Sequence, residues 1–472
     1  MKYNFVMLNT ILKLTNNLVG SMEKIVGKDN VLSSYEERFV YSTDSTNITT
    51  QKDIADVIVF PQSTMQVSQI MKYANSKNIA VVARSAGTNL CGACLPKRKG
   101  IILDFSRMDK ILEISKDNLI CKVQSGVVVE DLQKAVEEFD LFYPPDPSNL
   151  KVSMIGGSIG LSSGGPHTFK YGSTKDYIID LEVVLADGSI MHTGSSCSKN
   201  VTGYNMTQLF VGSEGTLGVV TQATIRLIPK PEAKRVMLAY FDDLEDTSKT
   251  VNEIISNLIT PSVIDLMDKN TLKTVESFYP CGLQTDKTAA LLIEIDGFKS
   301  NLDEQYEKII EICKNNNSSY IQTASTKEEE ERIWISRRSS FGATAKLAPN
   351  VLTEDVVVPR ENIVALVKGI QEICDKYRIK TCIMGHIGDG NIHPNMALDL
   401  RNAEERLNFE CAKKELFELA LSLNGTLSGE HGIGCEKSEF ISKAINPNNL
   451  KMMKQIKKLF DPKNILNPDK IF

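Results

Sequence analysis

Three of the chain's five histidines fall in two glycine-dense segments, Gly385-His386-Ile387-Gly388-Asp389-Gly390-Asn391-Ile392-His393 and Ser428-Gly429-Glu430-His431-Gly432-Ile433-Gly434. Imidazoles and a carboxylate among turn formers have the chemistry of a metal or acid–base centre. Thr381 to Met384 is an apolar, strand-like run and Gly388-Asp389-Gly390-Asn391 is a four-residue loop, so the first segment predicts a β-hairpin. If the arms pair symmetrically, Ile387 faces Ile392 and His386 faces His393. Cross-strand Cβ atoms lie ~5 Å apart, close enough for two imidazoles to share one cation. Asn395, two residues beyond His393, falls on the same face. Glu430 completes a two-histidine, one-carboxylate set that leaves coordination positions open. His431, beside a ligand but not needed as one, is free to act as a base. The competing reading is that these histidines cap turns and satisfy buried backbone; the glycine context and the neighbouring Glu-His weigh toward the metal.

The elements that must position these residues read as an alternation of strands and helices. Val57-Ile58-Val59-Phe60-Pro61 is a buried-type strand, Met65 to Asn75 has helical periodicity, and Ala80 to Ala83 resumes as strand, a βαβ rhythm. Strands follow at Ile101 to Leu103, Leu119 to Val123, Leu181 to Leu185 and Val219 to Leu227. After Pro229-Lys230-Pro231 longer charged helices alternate with strands, for example Leu302 to Lys314 and Lys327 to Trp334, which places a domain boundary near residue 232. A helix from about Glu404 to Leu423, ended by Asn424-Gly425, delivers the chain to the Glu430-His431 loop.

Composition narrows the function classes. A chain of 472 residues, 42% hydrophobic, is too long for one core, so two or three domains are expected. A formal charge of -5 and the lack of a basic block with interleaved aromatics argue against nucleic acid as a partner. Ten cysteines without a repeating spacing, apart from Cys91-Gly92-Ala93-Cys94, suit reduced thiols in the cytoplasm better than a disulfide framework, and that one pair cannot hold an iron–sulfur cluster. No run reaches the ~20 apolar residues that cross a bilayer. Phe5 to Leu8 with Ile11-Leu12 resembles a short signal core, but Lys13 interrupts it, so an amphipathic first helix is expected, with Met7 and Met22 as alternative starts.

Glycine also marks the first half. Arg84 to Leu90, Ile155 to Gly160, Ser163 to Pro166 and Gly212 to Gly218 each follow an apolar run, and glycine lets backbone N–H groups converge on phosphate oxygens. None fits a Walker loop or a GxGxxG opening a helix after a strand, so the four together point to a cradle for a large phosphate-bearing cofactor rather than a P-loop or Rossmann site.

With Pro144-Pro145-Asp146-Pro147-Ser148, Gly164-Gly165-Pro166-His167, Lys170-Tyr171-Gly172, Lys199-Asn200-Val201-Thr202-Gly203-Tyr204 and Asn467-Pro468-Asp469-Lys470-Ile471-Phe472, the chain from about Tyr41 onward resembles the vanillyl-alcohol oxidase and para-cresol methylhydroxylase flavoproteins. Within them it is most similar to the branch of glycolate oxidase FAD subunits, D-lactate dehydrogenases and D-2-hydroxyglutarate dehydrogenases. The resemblance implies an α+β fold: an N-terminal helical segment (1–40), a two-subdomain FAD-binding domain (41–231), an antiparallel-sheet cap over the substrate (232–420) and a C-terminal segment (421–472) returning to the FAD domain. It implies FAD held by Arg84, Ala86, Gly87, Thr88, Asn89, Leu90, Pro145, Asp146, Ser148, Gly156, Gly157, Ser163, Gly164, Tyr171, Glu214, Gly215, Gly218 and Val220. No histidine precedes His167, so the tether that some relatives use is missing and noncovalent FAD is expected.

The same resemblance implies that His386, His393 and Glu430 bind a divalent metal, zinc with iron or manganese as alternatives. His431 would be the catalytic base, Asn395 a substrate contact, and Arg338 the arginine that grips the substrate carboxylate. A guanidinium suits that grip because it pairs bidentately and stays charged; a solvated helix face beside Arg337 is the bland reading of Arg338. The implied reaction is oxidation of a 2-hydroxy acid to the 2-oxo acid, His431 taking the hydroxyl proton as hydride passes to flavin N5. The 2-hydroxyglutarate branch holds its distal carboxylate with a threonine and a lysine where this chain has Gly342 and Thr353, which favours D-lactate or glycolate, with D-2-hydroxyglutarate as the alternative. Ser85 stands where relatives often have glycine. Close relatives pass electrons to oxygen, quinone, partner subunits or electron-transfer flavoprotein; the last is the expected partner, and a homodimer is compatible. A metal-dependent hydrolase would explain the histidines but not the glycine loops, and an electron-transfer subunit the loops but not the histidines.

Overall fold

The computed structural model describes residues 17–46 and 48–472, so Phe5 to Leu12 lie outside the described residues. Residues 17–26 form a helix whose Leu18, Met22 and Val26, spaced by four, are buried against the first sheet.

That sheet has four strands in the order Val31–Leu32, Val57–Val59, Ile101–Asp104, Val81–Arg84, the last three mutually parallel. The helix Thr64–Lys77, started by the Ser63 cap and ended by left-handed Asn78, makes the crossover and buries Val67, Ile70, Met71 and Ala74. Because both faces are covered, Val57–Val59 and Ile101 to Leu103 read as continuous apolar runs rather than alternating ones. A second sheet of five antiparallel strands follows, in the order Ile111–Ser115, Ile120–Gln124, Val219–Arg226, Ile178–Val184, Ile190–His192.

From Ala233 the chain enters an antiparallel sheet of eight strands, with Ala233–Phe241, Ala289–Gly297, Val263–Asp268, Lys380–His386 and Asn391–Leu398 as consecutive neighbours. Alternation along Ala233–Phe241 sends Met237, Ala239 and Phe241 to one core, under the helices Leu244–Ser256, Lys299–Asn315, Ile363–Lys376 and Ala403–Ser422. Val236, Leu238 and Tyr240 go to the opposite core, beside Trp334 of the helix Lys327–Arg338.

Contacts in several places join the parts, two of them outside the glycine loops. A short helix, Thr168–Tyr171, reaches from the first half to the eight-stranded sheet, where Lys170 and Tyr171 both pair with Asp296. Just before it, His167 lies between Asp146 (2.7 Å) and Glu294 (3.3 Å), and Glu294 also accepts from Trp334 Nε1 (3.0 Å) and Lys234 (2.9 Å). The second join is the chain's last segment. Ile465 and Leu466 are buried in the first sheet's core, and Val81 donates to Ile465 O (2.7 Å) while Asn467 donates to Val81 O (2.8 Å).

Candidate active site

The predicted hairpin forms, with a register two residues from the symmetric one. His386 pairs with Asn391 and Met384 with His393, so His386 and His393 are diagonal neighbours and not direct partners. The difference arises at Ile387, which leaves the strand, buries its side chain in the core and becomes the first residue of the turn. Asp389 and Gly390 both donate to His386 O, closing that turn, and at Gly390 (φ +87) a Cβ would lie 2.0 Å from Val358 O. A shift of two residues keeps the side chains on their face, as a shift of one would not. The rings of His386 and His393 therefore still meet, with centroids 5.3 Å apart.

Glu430 lies where three imidazoles converge. Its Oε1 is 3.7 Å from His386 Nε2, 3.3 Å from His393 Nε2 and 4.0 Å from His431 Nε2. His386, His393 and Glu430 each offer one ligand atom within 4.8 Å of the others, a spacing that one divalent ion can bridge. Burial alone would raise the Glu430 carboxyl, but hydrogen bonds and charge from His386 and His393 hold it far below the usual carboxylate range. Burial lowers His431 to about 4, so its ring is neutral and able to accept a proton at physiological pH.

Two aspartates behind this centre were not anticipated from sequence. Asp265, in the strand Val263–Asp268, accepts from His386 Nδ1 (2.7 Å) and from Arg337 Nε (2.6 Å). Burial opposes its ionisation, yet the charges of His386 and Arg337 outweigh that and hold it at about 2. Asp355 accepts from the Ser428 hydroxyl and from the backbone N–H groups of Gly429, Glu430 and His431, at 2.6 to 3.0 Å. Asn395 is fully buried; its Oδ1 accepts from Thr353 (2.6 Å), and its Nδ2 has no hydrogen-bond partner among the described residues.

A cavity of about 540 Å³ runs from the glycine loops to this centre. The first half contributes Arg84, Ala86, Gly87, Thr88, Asn89, Leu90, Ser148, Gly156, Gly157, Ser163, Gly164, Glu214, Gly215, Gly218 and Val220 to its wall, all expected from sequence, together with Ser85. Pro145, Asp146 and Tyr171 do not line it. Asp146 and Tyr171 are drawn into the contacts with His167 and Asp296, and Pro145 turns its carbonyl to Gln133. Glu214 borders the cavity, but its carboxylate is occupied by the N–H groups of Ile433 and Gly434, which ties the first half to the histidine loop. The hydroxyls of Ser153 and Ser158, buried in the wall, have no partner among the described residues, as donors for a polar ligand would. At Gly164 a Cβ would approach Glu430 Oε2 to 2.8 Å, so the glycine brings the two halves together at the site.

Residues 230–471 match the family described as FAD linked oxidases, C-terminal domain, and residues 55–194 match a FAD binding domain. The chain belongs to the FAD-linked oxidases. It is 42% identical over 459 residues to "Glycolate oxidase subunit GlcD" of Bacillus subtilis, covering 97% of each chain. It is 35% identical over 416 residues to "D-lactate dehydrogenase" of Archaeoglobus fulgidus, covering 88% of this chain and 91% of that one. Its fold is shared with p-cresol methylhydroxylase with substrate bound, at a TM-score of 0.81 and 18% identity over 97% of this chain and 96% of that one.

In this FAD-linked oxidoreductase the far wall of the cavity carries two adjacent arginines that differ in kind. Arg337 is buried, held by Asp265 and close to Met384 Sδ (3.2 Å). Arg338, the one anticipated to grip substrate, has a side chain 56% exposed that reaches Glu331 and lies over the Trp334 ring at 5.0 Å. No helix among the described residues is long and apolar enough to cross a membrane, and all ten cysteines are free.

Proposed function

We propose that this FAD-linked oxidase oxidises a small D-2-hydroxy acid, D-lactate ahead of glycolate, to the 2-oxo acid. The observation that carries the reading is one cavity that joins the glycine loops to the convergence of His386, His393, His431 and Glu430, with Arg337 and Arg338 on its far wall. When bound, FAD supplies the two-electron acceptor, and a divalent cation such as zinc held by His386, His393 and Glu430 supplies positive charge beside the substrate oxygens.

The chain's own groups do the rest. His431, neutral and buried, takes the hydroxyl proton at Nε2. Asn395 Nδ2, without a partner among the described residues, donates to a substrate oxygen. An arginine of the far wall pairs with the carboxylate; burial and the tie to Asp265 favour Arg337, because a guanidinium already oriented loses less freedom on binding than the half-exposed Arg338. Gly342 contributes no side chain, and the Thr353 hydroxyl is taken by Asn395, so neither anchors a second carboxylate. A protein acceptor such as electron-transfer flavoprotein is proposed to reoxidise the flavin, and faster turnover with that protein is the corresponding assay.

The test is an anaerobic absorbance spectrum of the metal-replete protein before and after D-lactate. We expect the flavin band to bleach, and to stay unbleached in His431→Ala, which keeps its flavin. A His431→Ala protein reduced at the wild-type rate would remove the base assignment, bleaching that survives chelation would remove the metal, and faster reduction by D-2-hydroxyglutarate than by D-lactate would move the substrate to a dicarboxylate held by both arginines.

A further inference from the structure

The loop that carries Glu430 and His431 is held in shape by side chains from both halves of the molecule. All six N–H groups from Gly429 to Gly434 are accepted by side-chain oxygens, at 2.7 to 3.0 Å. Asp355, beside the eight-stranded sheet, takes Gly429, Glu430 and His431, and Ser428 Oγ takes Gly432. The last two go to the other half: Ile433 N–H reaches Glu214 Oε1 (2.7 Å) and Gly434 N–H reaches Oε2 (2.8 Å). Successive N–H groups converging on one carboxylate are the way a backbone turn binds an anion. Here the anion belongs to the cofactor cradle, since Ser213 and Gly215, on either side of Glu214, both line the cavity.

Glu214 does this from a strained backbone. It is buried, and its φ of +52 lies in the left-handed region that its neighbours Gly212 (φ +78) and Gly215 (φ +69) enter freely and a residue with a Cβ does not. A glycine at 214 would relieve the strain, so the reason for a glutamate lies in its carboxylate. We propose that Glu214 is the positioning residue that sets the loop of Glu430 and His431 in register with the cofactor cradle. It handles neither proton nor hydride; it fixes where His431 stands relative to a flavin bound along Ser213 and Gly215. Reacting atoms must come within ~3–3.5 Å, and about 1 Å of misplacement can slow a reaction on the order of 100-fold. Glutamine is a poor replacement although it has the same shape, because it keeps one acceptor and turns an NH2 group toward the other N–H. The far end of the loop stays attached without Glu214, since Cys435 and Glu436 both donate to Cys91 O (3.1 and 3.2 Å).

The effect on rate rests on the proposed dehydrogenase reading; the hold on the loop does not, and amide hydrogen exchange reads it directly. In protein loaded with FAD and Zn(II), exchange at the Ile433 and Gly434 amides should be slow in the wild type and about 10-fold faster in Glu214→Gln, with the rest of the chain little changed. Flavin reduction at saturating D-lactate should slow roughly 10- to 100-fold in that variant, while KM and flavin content stay near wild type. Glu214→Gly, free of the left-handed strain, should behave likewise and serves if the glutamine protein does not fold. A folded variant that exchanges as the wild type does, or that reduces at the wild-type rate, overturns the proposal. One that loses flavin yet reduces the remainder at the wild-type rate overturns it too, making Glu214 a cofactor contact instead. If neither variant folds, the wild type decides: protected Ile433 and Gly434 amides support the assignment, and exchange as fast as in an exposed loop overturns it. Amides loosened by either substitution, in a protein whose wild type D-lactate fails to reduce, would support Glu214 as the hold on the loop and sink the dehydrogenase reading.

Discussion

His167 offers a prediction whose size follows from its surroundings. Its ring sits between Asp146 of the first half and Glu294 of the eight-stranded sheet, with Lys234 on the far oxygen of Glu294 and the Lys170, Tyr171 and Asp296 cluster close by. Burial works against the charged ring, but the two carboxylates prevail and raise its pKa from 6.5 to about 10. At ~1.36 kcal/mol per pH unit that rise sets a ceiling of about 5 kcal/mol. The ring keeps 17% exposure, so screening brings the expected contribution to about 2–3 kcal/mol. A raised folded pKa stabilises fully below the unfolded value and loses its effect as pH climbs through the folded one, here between 6.5 and about 10. His167→Gln should therefore cost about 2–3 kcal/mol at about pH 6, with a gap to wild type that closes by about pH 10.5. Guanidinium unfolding followed by Trp334, the single tryptophan and a donor to Glu294, reads this out. Equal stability at pH 6, or a gap that persists unchanged at high pH, would refute the charged clamp.

Two further substitutions separate the parts of the site. Arg337→Lys should raise KM for D-lactate about 10- to 100-fold, the loss of roughly 1.4–3 kcal/mol of bidentate pairing, while Arg338→Lys should have little effect; steady-state kinetics giving the reverse order would return the carboxylate to Arg338. Gly434→Ala places a Cβ 1.9 Å from Cys91 O at φ +52 and should destabilise by about 2–4 kcal/mol, releasing flavin at a lower temperature in a fluorescence melt. An unchanged melt would show that the Cys91 segment yields at no cost.

The reach of sequence reasoning followed the range of the interactions. The hairpin was legible because Gly388 to Asn391 are turn formers, and the helices Thr64–Lys77 and Ala403–Ser422 because their apolar residues recur with helical period. The register was misjudged by two residues, since nothing local reveals that Ile387 goes to the core and not to a strand partner. Asp265 and Asp355 left no signal: Asp265 is an acidic residue within a mainly apolar strand, separated from His386 by 121 positions, and Asp355 follows Glu354 in a short link between strands with nothing to mark either as part of a site. Resemblance alone favoured Arg338 over Arg337, because adjacent helical residues differ only in the direction they face, which depends on where the helix docks. Asp146 and Tyr171 sat inside motifs expected to line the cofactor, yet their side chains serve the contact between the halves.

The return of the last segment to the first sheet bears on how the molecule is made. Among the described residues Val81 finds its outer hydrogen-bond partners in Ile465 and Asn467, and the Asn467 side chain clasps the carbonyls of Ala93 and Glu214 beside the glycine loops. A nascent chain that has not yet emerged from the ribosome beyond residue 467 thus has an open sheet edge at Val81–Arg84 and an unclasped cofactor cradle, although every residue of that cradle was synthesised long before. Fragments that stop before Ile465 lack these contacts and are expected to hold flavin less tightly, however well their own strands pair.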